Sequence, residues 1–134
     1  MVNLDLDLNI SNTEEIDMDF ISNSAALVNR RDQVQAEQLV GHPTLRQWVV
    51  KTCSTELLIH GNMRPSRTSV SPLSLFTASI VRSLRNVNRF CVAAFFCGQH
   101  TDLDDPLTGG VGIIRSLIAQ LLDQHHFDDA DLAR

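Results

Sequence analysis

The pattern of apolar positions divides the chain into helical stretches and two short apolar runs, Leu57-Leu58-Ile59 and Phe90-Cys91-Val92-Ala93-Ala94-Phe95-Phe96. Continuous apolar runs of this length predict strands covered on both faces, as in a parallel sheet. Between them lie His60-Gly61-Asn62, a polar loop containing Pro65, and a helix start at Ser71-Pro72. Serine followed by proline combines a capping side chain with a residue suited to the first helical position. Leu73, Phe76, Ile80 and Leu84 then mark one helical face, with Arg82 and Arg85 near the end where the helix dipole favours cations. Strand, loop, helix, strand is the βαβ order and predicts an α/β fold. The loop after the first strand is where such folds bind phosphate, which directs attention to residues 61–70.

Upstream, residues from Ser24 to about Val40 are helical in composition, with Ala25, Ala26, Leu27, Gln33, Ala36, Glu37 and Leu39. Their weak apolar periodicity predicts a surface helix stopped by Gly41. Pro43 opens a second helix that runs to about Cys53 and places Leu45, Trp48 and Val49 on one face, Trp48 serving as a core anchor. Downstream of Gly98 comes an acidic, turn-rich loop from Gln99 to Gly110. The last helix, from about Val111 to Asp123, carries Ile113, Ile114, Leu117, Ile118, Leu121 and Leu122 as a wide stripe that needs cover from a sheet or a partner.

Residues 2–10 alternate strictly, with Val2, Leu4, Leu6, Leu8 and Ile10 against Asn3, Asp5, Asp7 and Asn9. An edge strand and a mobile acidic arm both fit this pattern. The acidity continues through Glu14, Glu15, Asp17 and Asp19, and it favours the arm. The resulting organisation is an arm at 1–22, an α/β domain at 23–125 and a polar tail at 126–134. Two parallel strands alone make a poor sheet, because their edges and faces need further elements. The expectation is therefore an incomplete sheet, belonging to a truncated domain or completed by another chain.

Composition narrows the function classes. The 134 residues carry a formal charge of −5 with a pI near 5.4, which offers no overall field for nucleic acid or an anionic membrane. No apolar run reaches membrane-spanning length, and the N-terminus lacks the order of a secretion signal. Cys53, Cys91 and Cys97 are an odd number without a disulfide framework, which predicts reduced, buried thiols in a cytoplasmic protein.

Among candidate sites, the register Gly61-Asn62-Met63-Arg64-Pro65-Ser66-Arg67-Thr68 lies where a phosphate loop of pattern G-x-x-x-x-G-K-[ST] would stand. Gly61 and Thr68 fit. Ser66 replaces the second glycine, Arg67 replaces lysine, and Pro65 removes an N–H from the cradle. Gly61, Ser66, Arg67 and Thr68 are thus a weak set for the phosphates of ATP or GTP with Mg²⁺, and no catalytic residue is assigned. Thr108-Gly109-Gly110-Val111-Gly112 reads as a cap and tight turn. Cys97 and His100 have C-x-x-H spacing, yet no second ligand pair suggests a metal, and nothing orients His100 as a base. Asp102, Asp104 and Asp105 lack a calcium-loop pattern. Arg115, beside the last apolar stripe, can pair with the acidic loop before it or reach an anion or a neighbouring subunit.

Four segments carry a family resemblance: Leu57-Leu58-Ile59-His60-Gly61-Asn62, Ser71-Pro72-Leu73-Ser74, Phe95-Phe96-Cys97-Gly98-Gln99-His100, and Arg115-Ser116-Leu117-Ile118-Ala119-Gln120-Leu121-Leu122. In this order, over roughly residues 40–125, the chain resembles the N-terminal half of a fungal NACHT/STAND-type, NLR-like P-loop NTPase domain. The resemblance implies a partial three-layer P-loop NTPase-like fold with two central parallel strands. It also implies a nucleotide-dependent module of a signalling protein, degenerate in its phosphate loop and without effective hydrolysis. The alternative is a non-catalytic interaction or scaffold piece, docking on a second copy or another protein through its last helix and strand edges.

Overall fold

A computed structural model describes residues 12–61 and 70–125. Its elements are α1 (Thr13–Asn23), a 3₁₀ turn (Ser24–Leu27), α2 (Arg30–Val40), α3 (Pro43–Val49), α4 (Pro72–Arg85), a second 3₁₀ turn (Cys97–Gln99) and α5 (Gly109–Gln124). Among the described residues there is no strand, so the expected α/β fold with two parallel strands is overturned: the described architecture is helical. None of these helices is long and apolar enough to cross a membrane.

Two compact units divide the chain, one holding described residues 12–19 and 81–125, the other 20–61 and 70–80. In the second unit local chemistry fixes each helix boundary. The Asn29 side chain accepts from the Asp32 N–H at 2.9 Å, and its amide donates to the Asp32 carboxylate at 2.9 Å, a reciprocal cap that starts α2. The Gln33 side chain donates to the Ala25 and Val28 carbonyls at 2.7 and 3.0 Å. Those bonds hold a turn ahead of α2, where composition alone predicts one helix from Ser24. Gly41 ends α2, and His42 Nδ1 accepts from the Thr44 N–H at 3.2 Å to open α3 at Pro43. The Ser71 hydroxyl accepts from the Ser74 N–H at 3.1 Å and opens α4 where the sequence places it.

The core of this unit is built on Ala36, Leu45 and Phe76, with Leu39, Trp48, Leu57, Ile59 and Leu75 among the side chains packed against it. Trp48 is a core anchor as expected, and its indole N–H donates to the Thr55 carbonyl at 3.2 Å. The first apolar run is therefore a packed strip of chain. Leu57 and Ile59 are half-buried and Leu58 is exposed.

In the first unit, the part of the expected acidic arm that is described forms the start of α1, with Met18 buried. The segment does not remain an arm because its acids have partners: Glu14 and Glu15 meet Arg85, and Asp17 meets His100. The loop before α5 closes tightly on the helix. Gly109 has φ +82°, in the left-handed region. A Cβ on Gly112 would lie 2.1 Å from the Leu107 carbonyl oxygen. The cysteines depart from expectation: Cys53, Cys91 and Cys97 are free and exposed, Cys91 on the outward side of the second run.

Candidate functional site

The second apolar run, residues 90–96, alternates in exposure between Cys91 and Ala94, while Phe90 is exposed and Phe95 is half-buried against the His100 ring. Ala94 and Phe96 are buried and Val92 half-buried, whereas Cys91 and Ala93 are exposed. That is the periodicity of extended chain. Its ladder partner is a helix, which is why no strand forms. Gln120 accepts from the Ala94 N–H and donates to the Ala94 carbonyl, both at 2.8 Å. Gln124 accepts from the Val92 N–H at 2.9 Å and donates to the Val92 carbonyl at 2.8 Å. Four helical residues advance about 6 Å, and two extended residues about 6.6 Å. Glutamines at i and i+4 therefore match backbone groups at j and j−2. Arg85 reinforces the same edge, its Nε and Nη2 donating to the Val92 carbonyl at 3.2 and 3.1 Å. The opposite edge is open: among the described residues, the backbone groups of Cys91, Ala93 and Phe95 make no hydrogen bond.

Facing the extended run turns α5 inside out. Its buried positions are Gly112, Ser116 at 2% exposure and Gln120 at 3%. On the far side Val111 is 65% and Ile114 60% exposed, and Ile118, Leu121 and Leu122 share that side. At 3.6 residues per turn these five form a stripe about 100° wide, opposite the glutamines. The stripe expected to need cover is only partly covered: Ile113 and Leu117 are half-buried, and Ile118, Leu121 and Leu122 remain 40–45% exposed. Ordinary surface helices bury their apolar side and expose their amides; α5 buries Ser116 and Gln120 and leaves apolar side chains exposed.

Ionic groups brace the unit. Arg85 Nη1 donates to Glu15 Oε1 at 2.9 Å, and Nη2 to Glu14 Oε1 at 3.2 Å and Gln120 Oε1 at 3.1 Å. His100 lies between two carboxylates, Nδ1 at 2.7 Å from Asp105 Oδ2 and Nε2 at 2.8 Å from Asp17 Oδ2. With both carboxylates ionised, both acceptors are met only by the doubly protonated ring. Burial works against that charge, but the hydrogen bonds and charges of Asp105 and Asp17 outweigh it and raise the His100 pKa. Burial raises the Asp17 pKa against the pull of His100. The Leu107 N–H, and then His100, hold the Asp105 carboxyl low. With both ring nitrogens engaged, His100 has no nitrogen for a metal or for proton abstraction from Cys97.

Of the phosphate-loop residues, Ser66, Arg67 and Thr68 lie outside the described residues, and Gly61 is a half-buried residue that no described helix immediately follows. Arg115 is exposed on α5 and makes no ion pair with the acidic loop among the described residues. That loop is occupied with itself: Asp102 Oδ1 accepts from the Asp104 N–H at 3.1 Å and Asp105 Oδ1 from the Leu107 N–H at 2.8 Å. Among the described residues no group of three or more His, Cys, Asp or Glu is placed to hold a metal ion. Compared with known protein families, curated proteins and solved structures, the chain matches none. The functional reading therefore rests on the geometry. Gln120 and Gln124 are the residues that sequence reasoning missed, although their i, i+4 spacing on the side away from the apolar stripe was visible.

Proposed function

We propose that the chain is a non-catalytic protein-interaction module of the cytoplasm, docking through the open edge of Phe90–Phe96 and the apolar stripe of α5. One observation carries the reading: the two glutamines occupy the inner backbone edge, which leaves the outer edge unpaired and α5 apolar outward. Unpaired edges accept strands by backbone hydrogen bonding. Phe90–Gly98 contains none of the lysines or prolines that usually block such pairing. A second copy is the simplest occupant, because antiparallel pairing about Ala93 places like residues in self-complementary register. Covering the stripe adds about 1 kcal/mol for each half-exposed apolar side chain. Three free, exposed cysteines suit a reducing compartment.

Sedimentation equilibrium tests this. The wild type is expected to self-associate with a roughly micromolar Kd. Ala93→Lys and Ile114→Lys should each give monomers with unchanged far-UV circular dichroism. A wild type that stays monomeric at all concentrations, with the Cys91, Ala93 and Phe95 amides exchanging freely, overturns docking on a second copy. The nucleotide-binding reading rests on the family resemblance alone. Its test is thermal shift with ATP or GTP and Mg²⁺, where ligand at 100 times Kd adds about 2.7 kcal/mol.

A further inference from the structure

The outer edge of residues 90–96 has an occupant available within the same chain. The backbone groups of Cys91, Ala93 and Phe95 make no hydrogen bond among the described residues, and native proteins pair, cover or blunt such edges. Residues 1–11 lie outside the described residues, and their sequence is of the kind an open edge accepts. Val2, Leu4, Leu6, Leu8 and Ile10 alternate with Asn3, Asp5, Asp7 and Asn9, the period of a strand with one apolar side. Asp and Asn weaken a strand that must form alone; an open edge supplies the missing ladder. The point where this segment meets α1 lies close to the run. Asn12 has φ 72°, in the left-handed region, and it lines one cleft together with Asn88 and Phe90.

We infer that residues 2–10 pair antiparallel with the outer edge of residues 90–96 and cap the docking edge from within the chain. The inference rests on that edge being the docking site proposed above, and adds its regulation. Extended, residues 2–10 reach about 30 Å and residues 90–96 about 23 Å, so the segment is long enough to span the edge. With Asn12 across from Phe90, the register sets Ser11 opposite Cys91, Asn9 opposite Ala93 and Asp7 opposite Phe95, the three residues whose backbone groups are open. Ile10, Leu8 and Leu6 then fall beside Val92, Ala94 and Phe96, on the side where Ala94 and Phe96 are buried. A one-residue slip would carry the acids to that side instead. On the solvent side Asp5 and Asp7 discourage a further strand from adding beyond the cap. A tethered segment competes at an effective concentration on the order of millimolar, so a second copy docks only when the segment leaves.

The test is amide hydrogen exchange on the full chain, at a concentration that sedimentation equilibrium shows to be monomeric. The Cys91, Ala93 and Phe95 amides should exchange at least about tenfold more slowly in the wild type than in Asn9→Pro, which removes the N–H facing Ala93. Leu8→Asp, which sets a charge beside buried Ala94, should release the same amides, and it carries the test if the proline variant does not fold. Both variants should also self-associate about tenfold more tightly, because the tethered competitor is gone. Protection in the monomer that both variants abolish, with no self-association by any of the three chains, supports the cap and overturns docking on a second copy. Free exchange in the wild-type monomer, protection that appears only in a dimer, or protection unchanged in both variants overturns the cap.

Discussion

Leu57–Ile59 and Phe90–Phe96 carry the same signal in sequence, an apolar run flanked by polar turns, and the protein anchors them by different forces. Leu57 and Ile59 are held by side chains: they pack on the Ala36, Leu45 and Phe76 core, and their backbone makes no hydrogen bond among the described residues. Residues 90–96 bury Ala94 and Phe96 and add a backbone anchor, pinned at Val92 and Ala94 by the amides of Gln120 and Gln124. Apolar contact is non-directional and tolerates exchange of one shape for a similar one. A buried donor and acceptor pair, as at Ala94, tolerates no such exchange, because the backbone groups left behind have no partner. One run should therefore answer to lost volume alone and the other also to lost polarity.

Phe76→Ala is the strongest challenge to the apolar anchor, with an expected loss of about 3–5 kcal/mol in urea denaturation. Trp48, the only tryptophan, packs in that core and reports the transition by fluorescence. Phe76→Leu keeps most of the volume and should cost less than half as much. If it costs as much as alanine, the tolerance argued for this run is wrong. Gln120→Leu is the matching change in the other unit, similar in size but unable to pair. It should cost about 2–4 kcal/mol and release the Ala94 amide to rapid hydrogen exchange. A neutral Gln120→Leu would erase the distinction between the two runs.

The smallest effect is the pH response of the His100 clamp. The folded pKa of His100 is raised, so its contribution is complete below about pH 6.5 and disappears as pH rises through the folded value. Asp17, also raised, loses stability in the same direction. Asp105, lowered, contributes above about pH 3.8 and loses that contribution only in stronger acid, as pH falls through its folded value. The Tm should fall by a few degrees between about pH 6 and pH 9. In His100→Gln that slope should flatten. A wild-type Tm that is level or rising over this interval contradicts a charged His100.

Much of the helical framework was legible because its signals are local. Ser71-Pro72, Gly41 and Pro43 mark helix ends through groups within a few residues, and the stripe on α5 is periodic in one stretch of sequence. The sheet expectation failed because an apolar run reveals that a segment is half-buried and not what satisfies its backbone. The missing information is distant: Gln120 pairs 26 residues from Ala94, Arg85 reaches Glu14 across 71, and His100 meets Asp17 across 83. Arg85 reads locally as a cation at a helix end and His100 as a loop histidine. Each acquires its role only when the start of α1 folds against it.

Gly112 leaves the first turn of α5 and the Leu107 peptide no clearance for even a methyl group. The connector and the helix consequently form one rigid elbow rather than a hinge. Grafting, lengthening or swapping the connector would succeed only if that elbow travelled intact. In a saturation library, position 112 should be one of the least permissive in the chain, although it carries no side chain of its own.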